Sequence, residues 1–165
     1  MSATNRLRIR RATRDDLTAI VRIEKASFGR YAWEREWFAD YLSEPQNCVF
    51  LVAAKGKIVV GYALAVRNQT RSELDSIAVD PSHGGGGIGA ALMNRLQAIL
   101  RQRGVSTMML MVRLDNAAAI ALYRKRGFRR ERRINGYYED GTAAWRMTMS
   151  LSTPRASTRG TGRSG

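Results

Sequence analysis

The chain has 165 residues, 44% of them apolar, and its 28 basic and 14 acidic side chains give a net charge of +14. That length suits one domain of ordinary size, and the apolar content excludes a wholly disordered chain. A single cysteine, Cys48, and a single histidine, His83, exclude an internal disulfide and the usual Cys/His zinc sites. We expect no metal, no membrane span and no signal peptide, and therefore a cytoplasmic protein.

Hydrophobic periodicity predicts one α/β domain over residues 6–151, with elements in the order βααβββαβαββ and a mixed sheet. In chain order the predicted elements are a strand over 7–10, helices from Thr13 and over 34–42, strands over 48–54, 58–66 and 73–79, a helix that ends at Gly104, a strand over 108–112, a helix over 117–126 and strands over 128–135 and 144–151. Residues 1–5 are expected to be flexible. Residues 152–165 are expected to form a disordered basic tail.

Arginine supplies most of the positive charge, with 24 arginines against four lysines. The densest stretch, residues 124–133, holds seven basic side chains and one acidic one, a net charge of +6. Such an excess favours anionic partners such as nucleic acid or a phosphorylated cofactor. A solvated helix end and edge strand explain the same stretch without any partner. Composition leaves both interpretations open.

Four consecutive glycines, residues 84–87, and then Gly89 precede the long helix. Glycine raises the entropic cost of ordering a chain, and close approach of an anion to N–H groups at a helix N-terminus would explain the run. The spacing Gly84-x-Gly86-x-x-Gly89, with Asp115 further on, also matches the dinucleotide-binding fingerprint. However, the segment does not directly follow a first strand, as that fingerprint requires. A nucleoside-triphosphate loop is excluded because no Lys-Ser/Thr pair follows.

Four separated motifs point to a known family when they are taken together. They are Ser76-Ile77-Ala78-Val79-Asp80-Pro81, Gly87-Ile88-Gly89-Ala90-Ala91-Leu92, Asn116-Ala117-Ala118-Ala119-Ile120-Ala121-Leu122-Tyr123 and Gly127-Phe128. This order resembles the GNAT superfamily of acetyl-CoA-dependent N-acetyltransferases, and Tyr137-Tyr138-Glu139-Asp140-Gly141 resembles its RimI-like branch. That branch acetylates protein N-termini, including an N-terminal alanine of a ribosomal protein. The resemblance implies a single GNAT-type domain with helices flanking a mixed sheet, acetyl-CoA as co-substrate and a protein N-terminus as acceptor.

The resemblance assigns the cofactor site mainly to backbone groups. The strand before the glycines contacts the pantetheine arm in the family, and the glycine segment holds the pyrophosphate. The implied cofactor residues are Ile77, Ala78, Val79, Gly85, Gly86, Gly87, Ile88, Gly89, Ala90 and Asn116. Asn116 also suits a helix N-cap, and both roles can coexist. The chain departs from the family at Gly84 and Gly85, where Gln or Arg is usual, which predicts weaker CoA binding.

Catalysis is assigned by the same resemblance, with one conflict. Tyr123 matches the tyrosine that protonates the departing thiolate, although a tyrosine on an amphipathic helix also suits the core. In RimI-like enzymes a glutamate that acts as general base stands at the position that Met111 occupies here. A methionine side chain cannot accept a proton. Other family members place an acid on the preceding strand, so Glu73 and Asp75 are the expected replacements. Period-two alternation puts both on one face with Ile77, and surface solvation is the alternative explanation for each.

Three functions are open on the sequence alone. Acetyl transfer to a protein or peptide N-terminus, on a ribosome-associated acceptor or a free one, is the first. A small-molecule amine acceptor is the second, and the net charge counts against cationic acceptors. A catalytically weakened CoA-binding or RNA-associated module is the third, because of Met111 and the arginine-rich stretch. His83 is expected to be a loop residue, and Cys48 a small buried strand residue rather than a nucleophile.

Overall fold

Seven strands and four α-helices make up residues 6–152, which are the residues that the computed structural model describes. The elements are β1 (Leu7–Arg11), α1 (Leu17–Phe28), α2 (Arg35–Leu42), β2 (Cys48–Lys55), β3 (Ile58–Asn68), β4 (Arg71–Val79), α3 (Ile88–Gln102), β5 (Thr107–Arg113), α4 (Ala117–Lys125), β6 (Arg129–Ile134) and β7 (Ala144–Ser150). Their order is the predicted one. The expected flexible N-terminus and, apart from Ser152, the expected tail lie outside the described residues.

All seven strands form one mixed sheet in the order β1-β2-β3-β4-β5-β7-β6. Neighbouring strands are antiparallel except β4 and β5, which are parallel. A parallel pair needs a crossover connection, and α3 supplies it. The predicted α/β domain with helices flanking a mixed sheet is confirmed. The dinucleotide-binding interpretation is wrong, because its fingerprint belongs to a doubly wound parallel sheet and only one pair here is parallel.

A separate apolar core covers each face of the sheet. On one face α3 buries Leu92, Leu96 and Leu100, all fully inaccessible to solvent, and Ile99 is partly buried against them. On the other face α1 and α2 pack over β2 and β3, and Phe38 is fully buried in this second core. Trp37, next to Phe38 on α2, is 58% exposed, because adjacent helix residues point about 100° apart. Within residues 6–152 none of the helices is both long and apolar enough to cross a membrane.

A β-bulge in β4 determines which core each of its side chains faces. Two adjacent residues of β3 pair with Leu74 and Ser76, which leaves Asp75 as the extra residue. Leu74 packs in the α3 core, whereas Ser76 hydrogen-bonds within the α1 core, and Ile77 packs back toward α3. Asp75 and Glu73 stay on the α1 side. Their predicted common face with Ile77 is therefore wrong, because a bulge shifts the alternation by one residue.

Gly61 of β3 lies where the first turns of α3 approach the sheet. A Cβ atom at this position would lie 3.1 Å from Leu92 Cδ1, 3.2 Å from the Ala78 carbonyl oxygen and 3.3 Å from Ile88 Cγ2. The absence of a side chain at residue 61 therefore sets the distance between α3 and the sheet.

We expect Gly61→Ala to lower the free energy of unfolding by about 1–3 kcal/mol, because overpacking forces α3 to move. Urea unfolding followed by circular dichroism measures this. Gly86→Ala is the matched control, since its Cβ would meet only the His83 carbonyl oxygen at 3.9 Å. That variant should stay within about 0.5 kcal/mol of the parent. Equal losses in the two variants would contradict the packing argument.

Candidate active site

A wedge-shaped gap opens between β4 and β5 beyond the bulge. The two strands pair only from Arg71 and Thr107 to Leu74 and Leu110. Beyond that point β4 stays paired with β3 as far as Val79, and β5 stays paired with β7 as far as its last residue. Each strand therefore has one unpaired edge on the gap. The predicted pantetheine contacts lie along the β4 edge: Ile77, Ala78 and Val79.

The glycine segment connects the end of β4 to α3. Gly85 and Gly87 have φ of +82° and +78°, in the left-handed region that favours glycine. Gly87 is the N-cap of α3 and supplies no side-chain hydrogen bond, so the N–H groups of the first helical turn stay available to a ligand. They belong to Ile88, Gly89 and Ala90. Exposed glycines and a positive helix end fit a diphosphate.

Asp80 holds the turn that leads from β4 to the glycine segment. One carboxylate oxygen accepts hydrogen bonds from the Ser82 N–H at 3.0 Å and its hydroxyl at 2.9 Å. The other accepts from Arg22 Nη1 at 2.9 Å, which ties the turn to α1. These contacts, the one from Arg22 first, lower the pKa of Asp80 to about 2. His83 lies in this turn, 3.2 Å from the Ser82 hydroxyl, and is a loop residue as predicted.

Asn116 and Tyr123 are both on or next to α4. Asn116 Oδ1 accepts a hydrogen bond from the Ala119 N–H at 3.1 Å, which confirms the predicted N-cap. Tyr123 is half-buried and its ring packs edge-on against Phe128 with centroids 5.8 Å apart. Burial raises the pKa of Tyr123 to about 12, so this phenol keeps its proton at neutral pH. The packed ring is the one expected of a tyrosine on an amphipathic helix, and the role of Tyr123 toward the thiolate stays a prediction.

Asp75 lies at the narrow end of the gap, next to Met111. The last strand pair is Leu74 with Leu110, so these two residues come directly after it on neighbouring strands. The Tyr41 hydroxyl donates a hydrogen bond to Asp75 Oδ2 at 2.9 Å. Burial raises the pKa of Asp75 to about 6, the Tyr41 hydrogen bond opposes that rise, and the charge of Glu73 adds to it. A carboxylate therefore stands one strand away from the position that Met111 occupies.

Glu73 lies further from the gap. It pairs with Met109 within the part of the sheet where β4 and β5 are still joined, and its side chain is half-buried. The structure thus separates the two predicted acids, with Asp75 at the gap and Glu73 behind it. Cys48 is buried, its thiol donates to the Tyr41 carbonyl oxygen at 3.3 Å, and burial raises its pKa. It is not activated as a nucleophile.

A buried polar network, which sequence reasoning did not identify, joins both sides of the bulge to α1. Glu24 is 2% exposed and accepts hydrogen bonds from the Tyr62 hydroxyl and from the Trp33 N–H, the latter at 3.2 Å. The Tyr62 hydroxyl is also 2.8 Å from Ser76 Oγ. Burial raises the pKa of Glu24, and these hydrogen bonds oppose the rise. The sequence feature that could have revealed this network is Glu24 itself, an acid at helical spacing within the apolar stripe of α1.

A second unpredicted group, centred on Arg113, joins two loops at the wide end of the gap. Arg113 Nη2 donates to Asp140 Oδ2 at 2.6 Å, and Nε donates to Asp115 Oδ1 at 3.1 Å. Its guanidinium also lies 5.6 Å from the ring centre of Tyr31 and 5.0 Å from that of Tyr138. The segment between α1 and α2 is thereby held to the segment between β6 and β7. We call this group the Arg113 clamp.

Comparison with known proteins identifies the family. Residues 17–128 match the acetyltransferase (GNAT) family. The ribosomal protein bS18 alanine N-acetyltransferase of Escherichia coli K12 is 36% identical over 123 residues, which are 74% of this chain and 81% of that protein. The N-alpha-acetyltransferase RimI of Mycobacterium tuberculosis is 34% identical over 148 residues, 86% of this chain and 91% of that protein.

A solved structure shares the fold over nearly the whole described chain. The ribosomal-protein-S18-alanine N-acetyltransferase from Escherichia coli superposes with a TM-score of 0.81 at 31% identity, and the match covers 90% of this chain and 96% of that one. The family match includes β4, the glycine segment and α4, which carry the gap and its predicted cofactor contacts. The chain belongs to the acetyltransferase (GNAT) family and is an acetyl-CoA-dependent N-acetyltransferase.

Proposed function

We propose that this enzyme acetylates the α-amine of a protein or peptide N-terminus, with Asp75 as general base. The observation that carries the proposal is the half-buried carboxylate of Asp75, which lies beside Met111 at the end of the gap and has a pKa of about 6. An N-terminal amine has a pKa of about 8, against about 10.4 for a lysine side chain. A base of this strength therefore suits an α-amine better than a lysine. By their own names, the two relatives above are a ribosomal-protein alanine N-acetyltransferase and an N-alpha-acetyltransferase.

Three features of the chain support the proposed acetyl-CoA contacts. The unpaired edge of β4 at Ile77, Ala78 and Val79 can hydrogen-bond an extended amide chain as a further strand would. The uncapped N-terminus of α3 suits the pyrophosphate, with Gly85, Gly86, Gly87, Ile88, Gly89 and Ala90 around it. Asn116, the N-cap of α4, comes shortly after the end of β5, the other strand that borders the gap. When bound, acetyl-CoA supplies the acetyl group as a reactive thioester.

Asp75 prepares the acceptor by removing a proton. About a tenth of an N-terminal amine is neutral at pH 7, and only the neutral form attacks the thioester carbonyl. The Asp75 carboxylate is largely ionised at that pH and can accept the proton that the attacking amine loses. The Tyr41 hydroxyl holds Asp75 Oδ2 and keeps its own proton, because burial and Asp75 both raise the pKa of Tyr41. Glu73 is the less favoured base, since it lies behind the gap.

Tyr123 acts at the other end of the reaction. With a pKa of about 12 its hydroxyl is protonated throughout the working pH range, so it can donate a proton to the departing sulfur. A thiol has a pKa of about 8.5, which makes the thiolate a tolerable leaving group even without a donor. We therefore assign Tyr123 an assisting role as general acid rather than an indispensable one.

The Arg113 clamp borders the route by which the acceptor would reach Asp75. Arg113 is the last residue of β5, two positions after Met111, and its contacts to Tyr31 and Asp140 hold a loop on each side of the gap. Fixed loops reduce the ordering cost that a flexible peptide would otherwise meet on binding. Arg113 is thus a positioning residue for the acceptor.

Asp75→Asn should lower kcat by about 10²-fold at neutral pH, within the range for loss of a general base. Glu73→Gln is the matched control, because Glu73 is a neighbouring acid on the same side of the sheet. Its kcat should stay close to that of the parent. Release of the CoA thiol measures the rate, with acetyl-CoA and a peptide that begins with alanine as substrates. If Glu73→Gln is the slower variant, the assignment of the two acids is reversed; if neither is slow, the base lies elsewhere.

Tyr41→Phe should move the acidic limb of the pH profile of kcat/KM to higher pH. The tyrosine hydrogen bond stabilises the Asp75 carboxylate, so its loss raises the pKa of Asp75 above about 6. Because a base works only when deprotonated, the rate at pH 6 should fall more than the rate at pH 8. In an Asp75→Asn background the same substitution should leave the profile unmoved. A shift that persists there would show that Tyr41 acts on some other group.

Arg113→Gln should raise the KM for the peptide by about tenfold, equivalent to about 1.4 kcal/mol of binding free energy. The affinity for acetyl-CoA, measured by isothermal titration calorimetry, should change little, because the clamp contacts the acceptor side. Arg130→Gln is the control, since Arg130 also stacks on an aromatic ring, Trp145 at 4.9 Å, but takes no part in the contacts of the Arg113 clamp. A fall in kcat with an unchanged KM would exclude a positioning role.

A further inference from the structure

We propose that β6 and the end of α4 form a binding surface for RNA, through its phosphate backbone. The surface, here named the β6 surface, consists of the basic side chains of residues 124–133: Arg124, Lys125, Arg126, Arg129, Arg130, Arg132 and Arg133. β6 is the last strand of the sheet and pairs only with β7. Its outer edge is not covered by any other element of the described chain.

Six of the seven basic side chains of the β6 surface are exposed, and Arg126 is half-buried. Arg129, Arg130, Arg132 and Arg133 are all exposed along the strand, and Arg124 and Lys125 are exposed at the end of α4. The bulge between Arg130 and Arg132 pairs Arg132 with Arg146, and Arg133 with Trp145. Basic side chains therefore project on both faces of the edge. A flexible anionic polymer can contact both sets at once.

The charge of the β6 surface is not neutralised internally. Its seven cations form none of the ion pairs found within residues 6–152. The one acid of the segment, Glu131, lies 3.9 Å from Arg146 Nε. Arg10, Arg22 and Arg113, by contrast, are each paired with an aspartate within 3 Å, Arg113 with Asp140 at 2.6 Å. Uncompensated like charges repel and destabilise the folded chain, and a bound polyanion removes that cost.

Protection of a sheet edge is not a sufficient explanation. Charged side chains on an edge strand do prevent pairing with another chain. Charged side chains also protect the opposite edge of the sheet, β1, but with a lower net charge. Residues 6–16 carry five arginines and two aspartates, a net +3. One of these arginines, Arg10, is paired with Asp16 at 2.7 Å. The β6 surface carries a net +6 and extends beyond the strand onto α4, where no edge needs protection.

The chemistry of the β6 surface favours RNA over an acidic protein or a membrane. Six of its seven cations are arginines, whose planar guanidinium binds phosphate with two hydrogen bonds and stacks on unpaired bases. Protein interfaces are centred on apolar or aromatic anchors, and membrane-surface elements need an apolar face. The only apolar residue of β6 is Ile134, which is half-buried. A basic surface without an apolar anchor therefore suits the phosphate backbone of RNA better than a protein or a membrane.

The position of the β6 surface gives RNA binding a consequence for the choice of acceptor, and this consequence rests on the proposed function. The loop after β6 carries Tyr138 and Asp140 of the Arg113 clamp. RNA held on β6 would therefore lie beside the acceptor entrance. An acceptor protein that is itself bound to RNA would be brought to the site with its N-terminus nearby, which raises its effective concentration.

The test is binding of a fluorescein-labelled single-stranded oligoribonucleotide by the full chain, followed by anisotropy over a series of KCl concentrations. The β6 variant replaces Arg129, Arg130, Arg132 and Arg133 with Gln; the matched control replaces Arg6, Arg8, Arg11 and Arg14, four exposed arginines at the opposite edge. Loss of four phosphate contacts should reduce the slope of log K against log salt by about 3, at about 0.7 per contact for a single strand. The control should keep most of the slope.

The other outcomes overturn the proposal. Equal losses in the two variants would mean that net charge alone binds RNA, and no binding by the parent at low salt would exclude RNA altogether. Polyglutamate or phosphatidylserine vesicles that compete as well as unlabelled RNA would assign the surface to an acidic protein or to a membrane instead. Circular dichroism of both variants checks that they are folded. The assay contains no acetyl-CoA or peptide, so its failure is independent of a failure of the proposed acetyl transfer.

Discussion

One extra residue in β4 separates two parallel strands that would otherwise continue side by side. Because Asp75 has no partner in β3, the strand bends there and its pairing with β5 ends at Leu74. A bulge increases local twist and redirects the side chains that follow it. The gap, the unpaired edge of β4 and the inward turn of Ser76 toward Glu24 all result from this single irregularity.

In the proposed mechanism, the bulge is what lets Asp75 stand in for an acid at Met111. A position next to Met111 on the neighbouring strand carries a carboxylate, and its environment gives that carboxylate a pKa well above that of an ordinary aspartate. Burial and the charge of Glu73 raise the pKa, whereas the Tyr41 hydrogen bond limits the rise. Two opposing effects of moderate size thus set the pKa of Asp75 about one unit below neutral pH, which suits a base.

Electrostatic interactions divide the surface into two kinds of region. Around the gap, acids hold arginines in place: Asp80 binds Arg22 near the glycine segment, and Asp140 binds Arg113 at the acceptor side. These pairs order loops, and being exposed they contribute little to global stability. On β6 the arginines have no such partners within the described residues. Residues 124–133 thus carry a net +6 of the total charge of +14, and none of their cations is in an ion pair of the described residues.

The sequence by itself determined the order of the elements, the family and the location of the glycine segment and Tyr123, because helical and strand periodicity and short motifs are local properties. Only the tertiary structure decided which acid lies at the gap, since the bulge depends on pairing with β3 and shifted Ile77 to the other face. The Arg113 clamp joins Tyr31 to Asp140, residues far apart along the chain. Contacts of that kind, like the burial of Glu24, depend on packing between distant segments, which periodicity does not encode.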